Sequence, residues 1–367
     1  MVSKKKNKKK HPQMPRQSVR LSQCMIVKNE EKNIERALKW AKDIAFEQIV
    51  VDTGSTDRTI ALAERMGAKV VHFQWVNDFS KAKNFAIEQA KGEWIAFLDA
   101  DEYFSTADTK KIMPFLKYIM ADSKLRDTWH VIQCPWAQLD DFGKIAEVHT
   151  QERIFRNIPG LRYEGKIHEK LNVHIDNTVH GDDITIMHTG YTTESIGKSE
   201  KIERNIRMLK EGLKENPENI NYKGYLADAL RAKSKMEGST EQLLDEIDSL
   251  YNEVINSNEG VMPIVKKNAY ISLLTTYTGI HDKLNEYEKI CIDALKDFPE
   301  DLDLEYFYAV VLHTRGKFGE AWELLVKCDA RLKGDKTIID SQLITANPEL
   351  LYKQMELTAA KLNNNDT

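Results

Sequence analysis

The chain has 367 residues, 41% hydrophobic and 30% charged, which suits two globular domains and neither a fibrous nor a disulfide-stapled class. No apolar stretch approaches the ~20 residues that cross a bilayer, and no apolar h-region stands near the start, so neither a spanning helix nor a signal peptide is expected. The formal charge of −4 hides an asymmetry: MVSKKKNKKKHPQMPR holds six lysines, one arginine and no acid, leaving about −11 for the rest.

Such a run repels itself and has little apolar surface to bury, so residues 1–17 are expected to form a disordered basic tail. A solvated tail is the plain reading; anionic lipid, nucleic acid or an acidic peptide would also suit the run, though for the chain as a whole nucleic acid is not the partner expected. Cys24, Cys134, Cys291 and Cys328 are scattered without CxxC spacing, which fits reduced thiols and a cytoplasmic location.

In chain order, SQCMIV reads as a strand and EEKNIERALKWAKDI as a helix with Ile34, Leu38 and Ala41 on one face. FEQIVVD is the next strand and DRTIALAERMG the next helix, closed by Gly67. AKVVHFQ, the helix DFSKAKNFAIEQAKG ending at Gly92, and the strand EWIAFLD follow. Near-continuously apolar strands alternating with amphipathic helices imply an α/β domain on a mainly parallel sheet. After DTWHVIQCPWAQ the strands become shorter and more polar, through EVHTQERIFRN, RYEGKIHEKL and DDITIMHTG.

From about Ser195 the period is helical throughout, from KSEKIERNIRMLKEGLKEN to LDLEYFYAVVLHTRGKFGEAWELLVKC, with Gly316 at a helix–helix turn and Pro299 closing an earlier helix. Helix pairs of about 34 residues resemble tetratricopeptide repeats, whose stacked helices bind a peptide or another subunit. The domains expected are therefore 18–195, α/β, and 196–362, all-α.

In an open parallel sheet ligands lie outside the carboxyl ends of strands. Asp52 ends one apolar run, and Asp99 ends another in WIAFLDADEYF, so both belong to one rim. Asp57 reads as a helix N-cap, with Ser55 and Thr56 as turn residues. Asp99-Ala100-Asp101, directly after a buried strand, suits a hard divalent cation, which takes oxygen ligands and commonly bridges to phosphate. No Gly-x-Gly-x-x-Gly follows the first strand, which argues against dinucleotide binding.

The motifs MIVKNEEKNI, VVDTGSTDRT, DFSKAKNFAIEQAKGEWIAFLDADEYF, RIFRN, YEGKIHE and MHTGY, in this order over residues 20 to 195, resemble family 2 glycosyltransferases of the GT-A fold. With its helical tail the chain is similar to bacterial members of that family, including sublancin-type S-glycosyltransferases that modify bacteriocin peptides. The resemblance implies an inverting transfer of a hexose or N-acetylhexosamine from a UDP-sugar to a peptide side chain, Cys or Ser. A lipopolysaccharide core or other cell-surface glycan is the alternative acceptor. An inactive sugar-nucleotide-binding scaffold is the reading from a different class, and the repeats could also form a homodimer.

Residue by residue, the resemblance places Asp52 on the uracil or ribose with Asn29 and Glu30 nearby. Thr53 stands where the family has a second acid, so that contact is a hydroxyl or absent. Asp99 and Ala100 are expected near the ribose, and Lys83 and one of Arg153 and Arg156, chiefly Arg156, at the diphosphate. Asp101 and His188 are expected to hold Mn²⁺ or Mg²⁺, which takes up charge as UDP leaves. Glu169 is the first choice of base, with His168 supporting it and Asp182 and Asp183 as alternatives. A cysteine acceptor would need less base catalysis. Trp75, Trp136 and Tyr191 are candidates to stack on sugar or uracil, or else core residues. QERIF lacks the Trp of the processive members, so a polysaccharide synthase is not expected.

Overall fold

The computed structural model describes residues 19–189, 198–279, 281–334 and 343–365. The basic tail and Tyr191 lie outside them, as does the expected domain boundary at 195/196. The described residues divide into two compact units, the first of residues 19–146, 150–165 and 169–189, the second of 147–149, 166–168 and the helices from 198 onward.

The first unit runs β1 (Leu21–Val27), α1 (Ile34–Lys39), β2 (Glu47–Asp52), α2 (Thr59–Arg65), β3 (Lys69–His72), α3 (Phe79–Gln89), β4 (Trp94–Phe97), β5 (Glu102–Phe104), α4 (Thr106–Ala121), α5 (Ser123–Thr128), β6 (Val131–Leu139), β7 (Ile145–Arg156), β8 (Tyr163–Glu164), β9 (Lys170–Leu171), β10 (Thr178–His180) and β11 (Ile186–His188). Among the described residues the main sheet has the order β3-β2-β1-β4-β7-β6-β11-β5, with β10 paired to β6, and β8 and β9 form a separate ribbon. The first four strands are mutually parallel. β7 joins β4 antiparallel, and β11 runs parallel to β6 and antiparallel to β5.

The apolar runs become strands buried on both faces. Trp94, Ala96 and Leu98 pack with Leu21, Ile112 and Leu116, while Ile95 and Phe97 pack on the other side with Ile49, Val51 and Ile87. This two-residue alternation is the pleat of a strand covered by helices on each face. Gly67 takes φ 91° just past α2, as its C-terminal signal required. Two boundaries differ from expectation. α1 stops at Lys39, and a run of turns then brings Phe46 N–H onto Leu21 O to start the pairing of β1 with β2. α3 stops at Gln89, because Gly92 serves packing: a Cβ there would stand 2.7 Å from Ser22 N. β7 is also longer than its polar sequence suggested, at 12 residues.

The second unit is helical: α6 (Lys198–Glu215), α7 (Ile220–Glu237), α8 (Glu241–Asn256), α9 (Pro263–Tyr277), α10 (Leu284–Asp297), α11 (Leu302–Thr314), α12 (Phe318–Gly334) and α13 (Pro348–Asn365). Each helix packs chiefly on the next, the pattern of stacked hairpins. Gly316 supplies φ 78° between α11 and α12, and Pro299 follows α10. Asp303, fully buried, accepts the Leu343 and Ile344 N–H groups and so ties the start of the α13 segment to α11. All four cysteines are buried and unpaired, and burial pushes the Cys134 thiol up to about 12. No helix among the described residues is long and apolar enough to cross a membrane.

Candidate active site

The acids of DADEYF form a turn. Glu102 N–H donates to Asp99 O (3.0 Å), and the Glu102 carboxylate reaches back to accept Asp99 N–H (2.9 Å). Ala100 points its methyl into the core beside Met25 and Ile34, which anchors the turn and leaves only its peptide group for a ligand. Glu102 is 1% exposed and its Oε1 also accepts Arg153 Nη2 (2.7 Å) and Trp136 Nε1 (2.7 Å). It is thus a structural acid, saturated with donors, whereas the Asp99 side chain keeps 38% exposure.

Helix α3 builds the facing wall. Ser80, Lys83 and Asn84 share one face by their i, i+3, i+4 spacing, and all three meet the β8–β9 ribbon or its loop. Ser80 Oγ donates to Gly165 O (2.5 Å), and Asn84 exchanges hydrogen bonds with the Tyr163 backbone at 2.9 Å. Lys83, 3% exposed, lies over the rings of Phe97 and Tyr163, and its Nζ is 2.8 Å from Glu169 Oε1 and 3.6 Å from Asp99 Oδ1. Arg153 Nη2 closes the cluster at 2.9 Å from Asp99 Oδ2.

Burial works against the charges of Asp99, Lys83 and Arg153, and the opposite charges outweigh it. Lys83 and Arg153 overcome desolvation and hold Asp99 down at about 2, below the ordinary carboxylate range. Asp99 and Glu169 in turn keep Lys83 protonated, as Glu102 and Asp99 keep Arg153. Asp99, Lys83 and Arg153 are thus fixed charges at the carboxyl end of β4.

Next to it, Asp101 Oδ2 lies 3.3 Å from His188 Nε2. The Asp101 carbonyl accepts from Thr189 N–H (3.1 Å), which docks the end of β11 on the turn. On the other side, Asp52 ends β2 and is 3% exposed; its carboxylate accepts Gly54 and Ser55 N–H groups at 3.0 Å, with His72 Nδ1 at 3.4 Å. Asn29, at φ 58°, joins this loop to the one after β1 by donating N–H to Ser55 Oγ (2.9 Å) and accepting Thr56 N–H (2.8 Å). Glu30 N–H donates to Thr59 Oγ1, and Thr53 turns its hydroxyl onto Val27 O. Asp57 accepts Thr59 N–H at the first turn of α2, but the N-cap position is Arg58, one residue later than expected, because the helix begins at Thr59.

The structure therefore gathers Lys83, Asp99 and Glu169, and sets Asp101 against His188. Arg156 is not brought to this cluster. In the antiparallel ladder Arg156 faces Trp94, at the start of β4, and its guanidinium donates to Arg126 O. Arg153, three residues away and so on the opposite face, is the arginine at the strand end. Asp182 and Asp183 sit on the exposed turn before β11, away from its His188 end. His168, at φ 53°, is grouped with the second unit and stacks on Tyr225 at 3.9 Å. Trp136 stacks on His188 at 4.2 Å and Trp75 meets Phe79 edge-on at 4.9 Å, so both rings already have protein partners. Glu102 escaped the sequence reading; an acid three residues after Asp99 in a tight turn was the available signal.

A four-strand parallel half-sheet with acids and buried cations at its carboxyl edge, continued by antiparallel strands, is the arrangement expected of the GT-A fold. Residues 22–125 match the family model of Glycosyl transferase family 2. The chain is similar to the SPbeta prophage-derived glycosyltransferase SunS of Bacillus subtilis, 26% identical over 297 residues, covering 78% of this chain and 65% of that one. It is also 38% identical over 151 residues to a TPR repeat-containing protein of Synechococcus elongatus, covering 41% of this chain and 34% of the relative. The chain thus spans about a third of one relative's length and under two thirds of the other's. A solved structure of S. aureus TarS 1-349 in complex with UDP-GlcNAc shares 16% identity at a TM-score of 0.41, over 82% of this chain and 92% of that one.

Proposed function

We propose that this chain is an inverting glycosyltransferase moving a hexose or N-acetylhexosamine from a UDP-sugar to a peptide side chain. The observation that carries this is the placement of two buried cations, Lys83 and Arg153, on Asp99 at the strand end, two residues before Asp101, in a chain whose residues 22–125 match family 2. Pre-set cations stabilise the charge that develops on a departing diphosphate without reorganising during the reaction. Asp52, at the end of β2, lies two strands from β4, roughly 10 Å by strand spacing, with the Asn29 loop after β1 between them, which suits a nucleoside lying across the rim.

The donor set fits a divalent cation. Asp101 and His188 offer one carboxylate oxygen and one imidazole nitrogen 3.3 Å apart, close to the ~3 Å between adjacent corners of an octahedron with bonds of about 2.1 Å. Among the described residues no group of three His, Cys, Asp or Glu gathers, so water and diphosphate oxygens would complete the shell. Bound there, Mn²⁺ or Mg²⁺ supplies Lewis-acid charge to the leaving group. Glu169 is the base in this reading: Lys83 occupies its Oε1 and orients the carboxylate, while Oε2 takes the acceptor proton. The resemblance to sublancin-type enzymes and the helical repeats support a peptide acceptor.

The test is UDP release from a panel of UDP-sugars with Mn²⁺ or Mg²⁺, repeated in EDTA. Metal-dependent release with one sugar is expected. Absence of release by folded protein with every donor overturns the reading, and release unaffected by EDTA overturns the metal.

A further inference from the structure

Strand β6 places two side chains against His188. Trp136 and Gln138 are two residues apart and so share a face, and the parallel register sets Trp136 beside Ile186 and Gln138 beside His188. The Trp136 ring lies 4.2 Å from the imidazole at an interplanar angle of 28°, a stacked contact. Its own orientation is held at the far edge, where Nε1 donates to the buried Glu102 carboxylate at 2.7 Å. That carboxylate is pinned by Arg153 and by Asp99 N–H. The indole is therefore a fixed platform, tied to the Asp99 cluster on one side and carrying His188 on the other.

Gln138 sets the remaining degree of freedom. Its Nε2 donates to Leu139 O at 3.0 Å, so its Oε1 is the atom facing His188 Nδ1, at 2.5 Å. An amide oxygen only accepts, so Nδ1 must carry the hydrogen. In the neutral ring the Nε2 lone pair is then turned to Asp101 Oδ2, 3.3 Å away. Two acceptors facing each other at that distance repel unless a proton or a metal cation lies between them, and a histidine that donates its other N–H to an oxygen is the usual arrangement around a metal-ligating imidazole.

We propose that Trp136 and Gln138 are positioning residues that fix the plane and tautomer of His188 for a divalent cation shared with Asp101. The proposal rests on the metal reading above and replaces the expectation that Trp136 stacks on sugar or uracil. Trp136 further couples this clamp to Asp99: through Glu102 one indole orients both halves of the site.

Mn²⁺ binding to the full chain, followed by the EPR signal of the unbound ion, tests it. Gln138→Leu keeps the volume and removes the acceptor, and should weaken Mn²⁺ binding by roughly 10- to 100-fold with the fold intact by circular dichroism. Gln138→Glu restores an acceptor and should bind within about 3-fold of the parent or tighter, a rescue that a merely structural role would not give. Trp136→Phe keeps a ring but loses the bond to Glu102, and should fall between the two. Equal affinity in Gln138→Leu and the parent, with Asp101→Ala impaired, overturns the clamp and leaves the metal reading standing. Unchanged affinity in Asp101→Ala removes both. If Gln138→Leu does not fold, long-range ¹H–¹⁵N spectra of ¹⁵N-histidine-labelled parent decide: the Nδ1–H tautomer is expected for the signal lost in His188→Asn, and the Nε2–H tautomer overturns the proposal.

Discussion

Replacing Arg153 by methionine leaves the Glu102 carboxylate, 1% exposed, with only Trp136 Nε1 and Asp99 N–H as donors. The guanidinium it loses is itself largely buried and 2.7 Å away. Removing one partner of such a pair costs roughly 3–5 kcal/mol, because the other charge stays desolvated. Asp99 loses the same partner but reaches water, so it adds little. At about 2–4 °C per kcal/mol for a domain of this size, the melting transition of the first unit should drop by roughly 6–20 °C. Calorimetry of the full chain at neutral pH reads this directly. Arg153→Met/Glu102→Gln should recover part of the loss, since no charge is then stranded. A drop of under about 1 kcal/mol in the single variant, or no recovery in the double, refutes the account of Glu102 as a buried structural acid.

Lys83→Met should weaken UDP binding by roughly 10- to 100-fold, the value of one charge-assisted hydrogen bond, measured by titration calorimetry; a change below twofold takes Lys83 away from the diphosphate. Asp99, held at about 2 against an ordinary 3.8, contributes stability that is fully present above pH 4 and lost as pH falls through 2. Urea midpoints between pH 6 and 2 should therefore fall less steeply in Asp99→Asn than in the parent, and parallel curves would contradict the charge arrangement. In the helical unit, Asp303→Ala strands two backbone N–H groups, Leu343 and Ile344. It should cost roughly 2–4 kcal/mol, seen as an earlier helical melt, with a smaller loss in Asp303→Asn. Melting like the parent would mean that the tie between α11 and the α13 segment adds no stability.

What was legible in the sequence was local. The alternating apolar runs and amphipathic helices gave β1 to β4 with α2 and α3, because period, cap and C-terminal glycine all act within a few residues. Even so, α3 ended three residues before its glycine: Gly92 answers to Ser22, 70 residues away, a contact no local pattern contains. The helical half was read from its period and from Gly316 and Pro299, while α4, α5 and α13 had no matching expectation.

The sequence by itself determined that acids would stand at strand ends, since an apolar strand that runs straight into Asp52 or Asp99 must place them on the rim. It did not sort DADE into roles. Folding made Glu102 a buried structural acid, Asp99 a member of a cation cluster and Asp101 a neighbour of His188. Nor could it choose between Arg153 and Arg156: strand parity puts them on opposite faces, but which face meets the site follows from the register of β7 on β4. Lys83 and Glu169 are 86 residues apart and meet only because α3 docks on the ribbon. Tertiary structure decides such pairs because their energy comes from desolvation and from partners distant in the chain, and neither is a property of the residue itself.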